Sequence, residues 1–95
     1  MDMIEVEIIL EGLNEFIGQL SWYEDIAYER KEFKDRENMR ALINEAFEIS
    51  RNIKIKGADS IDNLKYKYSL IKEKFNLFYK KYSALMPEYV EQYAW

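Results

Sequence analysis

The chain has no cysteine and no histidine. The first absence excludes disulfides, thiolate zinc sites and a cysteine nucleophile. The second removes the commonest general base, the Ser-His and Cys-His dyads, and the usual helical metal motifs. Proline occurs once and glycine three times in 95 residues, and so few breakers favour long helices over a turn-rich sheet fold. No apolar run approaches the ~18–20 residues of a membrane span, and the opening MDMIEVE is acidic where a secretory signal would be basic. The expectation is a cytoplasmic protein that does not use a membrane. Any catalysis would fall to carboxylates, Lys, Arg, Tyr and Ser.

What is present points to a folded domain. Apolar residues make up 48% and aromatics 16%, far too rich for a disordered chain. A chain of this length is expected to form one domain over residues 1–95, and it hides only roughly 60–65% of the surface exposed when unfolded, so a partner or a second copy would help it. The net charge of −4 is unevenly spread: residues 1–50 hold thirteen acids and five bases, and residues 51–95 hold five acids and nine bases. The sequence is a charge dipole.

Three apolar seams run at helical spacing. Val6, Ile9, Leu13, Phe16, Leu20, Tyr23 and Ala27 form the first, and Met39, Leu42, Ala46, Ile49 and Ile53 the second. The second is out of phase with the first, which predicts a break near residues 31–37 with Asp35 as N-cap. Lys54 and Lys56 suit a helix C-terminus, Gly57 a left-handed C-cap, and Asp59 or Ser60 the next N-cap. The third seam is Ile61, Leu64, Tyr68, Ile71, Phe75, Phe78, Tyr82 and Leu85, ended by Pro87. The expected fold is all-α, with helices at about 3–30, 36–56 and 60–86. They form an up-down-up three-helix bundle, or a long helical hairpin, with a short aromatic C-terminal segment over residues 87–95 that offsets a shorter middle helix.

The faces opposite the seams carry the functional expectations. Residues 1–29 contain eight acids and no Lys or Arg. On a helical wheel of ~100° per residue, Glu7, Glu11, Glu15, Gly18, Trp22, Asp25 and Glu29 lie opposite Leu13, with Ile26 beside Trp22 and an apolar pair, Ile4 and Ile8, at the other end. The helix dipole accounts for acids near the N-terminus but not for Glu24, Asp25 and Glu29 near the C-terminal end. An aromatic anchor with a charged rim has the composition of a binding hot spot, so the predicted partner-binding residues are Glu7, Glu11, Glu15, Trp22, Asp25, Ile26 and Glu29. A solvated face, with Trp22 under the tail or a neighbouring helix, is the competing explanation. On the third helix Tyr66, Leu70 and Leu77 stand opposite the seam and are the predicted self-association residues of a homodimer.

One constellation bears on catalysis. Glu45-Ala-Phe-Glu48 and Asp59-Ser-Ile-Asp62 place carboxylates at i, i+3 on neighbouring helices, an arrangement that holds Mg²⁺ against a pyrophosphate. The two pairs resemble the ExxE and ExxD motifs of the all-helical nucleoside triphosphate pyrophosphohydrolases of the MazG type, with Asp where that family has Glu. The resemblance implies a Mg²⁺-dependent pyrophosphohydrolase. Capping by Asp59 and solvation of Glu45 and Glu48 account for the same residues, so no catalytic residue, metal ligand or cofactor is assigned.

Lys65, Lys67, Lys72, Lys74, Lys80 and Lys81 interleave with Tyr66, Tyr68, Tyr79 and Tyr82, a pattern found in nucleic-acid-binding helices. The negative net charge and the four arginines weigh against direct nucleic-acid binding, and neutralising the acidic first helix is the expected use of these lysines. The resulting expectation is a non-catalytic protein–protein interaction module. In its sharper form it is a small acidic inhibitor, by analogy of composition with those of phages or mobile elements, that occupies a basic surface of a target protein. The pyrophosphohydrolase and a structural assembly subunit are the alternatives.

Overall fold

Each seam becomes the buried stripe of one helix. The structure, a computed structural model, describes residues 3–56 and 61–87. Helix α1 runs Met3–Glu29, α2 Phe33–Lys56 and α3 Ile61–Tyr82, and a 3₁₀ turn, Ser83–Leu85, continues from α3. No strand occurs among the described residues. The order is up-down-up. Lys65 near the start of α3 pairs with Glu5 near the start of α1, while Lys81 near its end meets Asp35 at the start of α2. The fold is therefore the expected all-α three-helix bundle.

The break between α1 and α2 is tighter and earlier than the phase slip suggested. Arg30 to Glu32 suffice to turn the chain. The Glu32 N–H donates to the Ala27 carbonyl at 2.8 Å and the Lys31 N–H to the Tyr28 carbonyl at 3.1 Å. These two bonds are the paired 6→1 and 5→2 bonds of a Schellman motif, which satisfies the last carbonyls of α1. The motif needs a left-handed residue at its centre, and Lys31 supplies it with φ 60°, although Gly is the residue that adopts this conformation without cost. Glu32 then accepts the first helical bond of α2, from the Arg36 N–H at 3.1 Å, so Glu32 occupies the N-cap position and not Asp35. Asp35 lies in the first helical turn. With this early start α2 spans 24 residues against 22 in α3, so it is not the short helix expected. The expected Gly57 C-cap, the Asp59 or Ser60 cap and the segment 88–95 lie outside the described residues.

Aromatic rings hold α3 on α1. Phe16 stacks on Tyr68 at 5.5 Å and on Phe75 at 4.5 Å, and Tyr23 on Phe75 at 6.2 Å and Tyr82 at 6.0 Å. Such offset pairs add about 0.5–1.5 kcal/mol each beyond burial. Gly12 makes room for this column: a Cβ there would lie 2.8 and 2.9 Å from two carbons of the Tyr68 ring and closer still to its hydroxyl. Gly18, two turns on, has nothing within 4 Å of the same position.

A polar latch closes the opposite end of the bundle from Lys65. Tyr82 is fully buried, and its hydroxyl donates to Asp35 Oδ2 at 2.7 Å. Lys81 Nζ donates to the same oxygen at 2.7 Å and also pairs with Glu32, which Arg30 holds from its other side at 2.7 Å. Lys81 and then Tyr82 hold the Asp35 carboxyl below the usual range, and Lys81 and Arg30 do the same for Glu32. Lys81 itself is pushed upward by its two carboxylates, and Tyr82 by burial and then by Asp35.

Candidate partner-binding face

The outer side of α1 carries mostly exposed side chains. Glu7, Glu11, Glu15, Asp25 and Glu29 are exposed along it, and Trp22 is 45% exposed among them. Trp22 is thus outside the main core, as its place on the wheel predicted. Ile4 and Ile8 are also exposed. Glu15 accepts a hydrogen bond from the Gln19 amide at 3.4 Å, and none of Glu7, Glu11, Glu15 and Asp25 forms an ion pair with a described residue.

Ile26 does not belong to this face. It is 3% exposed and part of the hydrophobic core. The reason lies in how the end of α1 is held. Glu24 is gripped from α2 by Arg40, and Tyr23 stacks on Tyr82 at the end of α3. Leu85 and Met86, beyond that end, pack against the same core. The buried arc of α1 therefore widens toward its C-terminus, from a narrow stripe to more than a third of the circumference, and Ile26 falls inside it.

Glu24 also changes meaning. It is 6% exposed, with its Oε1 2.9 Å from Arg40 Nε and 3.9 Å from Arg36 Nε. Arg36 in turn lies over the Tyr28 ring at 4.9 Å from its centroid. One of the three acids that the helix dipole left unexplained is thus an interhelical ion pair. Of the predicted partner-binding residues, Glu7, Glu11, Glu15, Trp22, Asp25 and Glu29 are exposed. Gly18 shares that side, and no contact with a described residue requires it to be glycine.

The lysines of α3 neutralise less of α1 than expected. Lys65 meets Glu5 at 3.2 Å, but Lys74 pairs with Glu45 of α2 at 3.4 Å and Lys81 with Glu32 of the α1–α2 turn and Asp35 of α2. Glu7, Glu11, Glu15 and Asp25 receive none of these lysines. The carboxylates of the pyrophosphohydrolase resemblance are spoken for differently: Glu45 pairs with Lys74, and Glu48 with Arg51 at 3.3 Å in its own helix, while Asp59 lies outside the described residues. Among the described residues no group of three or more acidic side chains is placed to hold a metal ion, and no helix is long and apolar enough to cross a membrane.

No family model, curated protein or solved structure matches the chain. Its function has to be argued from its own surface.

That surface has two further features. Tyr66, Leu70 and Leu77 are all exposed on α3, opposite the residues that contact α1, as the wheel predicted. Phe47 of α2 is exposed as well, in a groove with Asn14, Arg51 and Lys54; its place beside the α2 seam gave no sign of this.

Proposed function

We propose that this chain is a non-catalytic protein–protein interaction module that presents the outer face of α1 to a basic surface of a target protein, inhibiting that target by occupying the surface. The reading includes a homodimer. The observation that carries it is the α1 face itself: a helix with no Lys or Arg between residues 1 and 29 points Glu7, Glu11, Glu15 and Asp25 outward around a half-exposed Trp22. Like charges along one exposed face repel each other and lower the stability of the folded chain. A complementary basic surface would relieve that repulsion and speed association. Trp22 supplies the large apolar contact that holds a complex once formed.

Gly18 supports the same reading. An exposed mid-helix glycine costs roughly 1 kcal/mol relative to alanine, and no contact with a described residue offsets this cost. A bare stretch of backbone between Glu15 and Trp22 allows another chain to approach closely.

The test is affinity capture from the source cell by the wild-type protein and by a Glu11→Gln, Glu15→Gln, Glu29→Gln variant, with mass spectrometry of what each retains. The reading expects a protein with a basic surface, held by the wild type at low salt and lost from the charge variant. If the two baits retain the same proteins at every salt concentration, the acidic face is not what a partner reads.

A further inference from the structure

A groove of about 400 Å³ lies between α1 and α2, lined by Asn14 of α1 and by Phe47, Glu48, Ser50, Arg51 and Lys54 of α2. Its volume is that of a small-molecule site. Phe47, Ser50, Arg51 and Lys54 fall at i, i+3, i+4 and i+7, the spacing of one helix face. Ser50 is 4% exposed, yet its hydroxyl forms no hydrogen bond with a described residue. Every fully enclosed side-chain nitrogen and oxygen among the described residues has a partner, so this hydroxyl opens onto the groove that Ser50 lines. A polar group so deeply placed, and not bonded inside the protein, is one that a bound molecule satisfies.

The walls supply a ring and surplus positive charge. Phe47 is 55% exposed. Lys54 forms no ion pair with a described residue. Arg51 gives one terminal nitrogen to Glu48 at 3.3 Å, and a guanidinium has further N–H donors to offer. Two bases thus line the groove against one acid. The groove at the other end of α2 differs: it also holds two arginines, Arg36 and Arg40, but Glu24 draws both and Glu37 adds a second acid. In the groove between α2 and α3 the charges of Glu45 and Lys74 cancel each other.

We infer that the α1–α2 groove binds a small anion carrying a flat, hydrogen-bonding ring, the chemistry of a nucleoside monophosphate. The ring lies on Phe47, and the anionic group sits between Arg51 and Lys54. Ser50 and Asn14, each able to donate and to accept, meet the polar atoms between the two ends. Phe47 and Lys54 are about 10 Å apart along α2, which sets the length of the occupant. Glu11 and Glu15 flank Asn14 in the sequence and are exposed, so a polymer continuing past the groove would carry further phosphates toward carboxylates. A single small anion avoids them. The groove is open to solvent, and binding is accordingly weak, in the range of roughly 0.1–1 mM. The site uses neither Trp22 nor the acids of α1, so it stands or falls separately from the reading of the α1 face.

Titration of the nitrogen-labelled chain with adenosine monophosphate, followed by NMR amide shifts, tests this, with adenosine and inorganic phosphate titrated separately. Saturable shifts at Asn14 and over residues 47–54 are expected, with the nucleotide binding at least about tenfold tighter than either half. Phe47→Ala and Lys54→Gln alter exposed side chains outside the core, so the fold should hold while binding weakens by roughly fivefold or more each. Ser50→Ala nearly keeps the residue's volume and should weaken binding with little change in melting temperature. Lys34→Gln removes an exposed cation away from the groove and should leave binding as it was. No saturable shift with the nucleotide up to about 10 mM, shifts centred elsewhere, or phosphate alone binding as tightly overturns the inference. So does a loss in Lys34→Gln equal to that in Lys54→Gln, since net charge alone would then explain the binding.

Discussion

Two glycines in one helix should respond to alanine with opposite signs. At Gly18 nothing lies within 4 Å of an added Cβ, so Gly18→Ala collects only the helix-propensity gain of about 0.8–1 kcal/mol. At Gly12 the same methyl group meets the Tyr68 ring, with two carbons at 2.8 and 2.9 Å. Tyr68 must swing away, weakening its stack on Phe16, and overpacking of this kind costs about 1–3 kcal/mol, to which the lost aromatic pair adds about 0.5–1.5. Set against the propensity gain, Gly12→Ala should destabilise by roughly 1–2 kcal/mol. Urea denaturation followed by circular dichroism reads both changes. In a domain of this size each kcal/mol moves the melting temperature by about 4–8 °C, so the two variants should separate by about 7–24 °C. Repeating Gly12→Ala in a Tyr68→Ala background removes the clash and should turn the same substitution stabilising, a coupling of about 2 kcal/mol or more. If Gly12→Ala and Gly18→Ala stabilise equally in the wild-type background, α3 does not approach α1 at Gly12 and the packing described here is wrong.

Other elements give their own tests. Lys31 sits at φ 60°, so Lys31→Gly should stabilise by about 0.5–1 kcal/mol in thermal melts. Tyr82→Phe deletes the donor to Asp35 and should cost about 1–1.5 kcal/mol by urea titration. Asp35 and Glu32 have lowered pKa values in the folded chain, so they contribute stability that is fully present above their ordinary carboxylate range and lost as pH falls through the lowered values. Melting temperature should therefore decline below about pH 4, and Lys81→Met should shrink that decline. Arg40→Met leaves Glu24 buried with Arg36 alone at 3.9 Å. Because Arg40 itself is largely exposed, the loss should be about 1–2 kcal/mol, below the range for fully buried pairs.

The seams were legible because 3.6-residue periodicity survives in any helix that buries one face. All seven residues of the first seam are buried, and those of the other two are buried or packed against the core. The α1–α2 turn was not legible in detail, since its left-handed residue is lysine and no Gly or Pro marks the place. Ile26 was misassigned, and Glu24 was left unexplained, for a shared reason. A wheel centred on Leu13 describes a helix held on one side, whereas the end of α1 is clasped from two sides by residues sixteen and more positions away. Gly12 and Gly18 look alike in the sequence; only the Tyr68 ring distinguishes them. The exposed positions of Trp22, Tyr66, Leu70 and Leu77 were readable, because exposure opposite a seam needs only periodicity.

The central claim is that Trp22 holds a partner and does not hold the fold. Its most direct test is the dissociation rate of Trp22→Ala from the protein retained in the capture experiment, measured beside the variant's melting temperature. The account predicts dissociation at least about 30-fold faster, equivalent to ~2 kcal/mol, with the melting temperature within a few degrees of wild type. A collapsed melting temperature with unchanged binding per folded molecule would contradict it, and would make Trp22 a core residue on an otherwise solvated face.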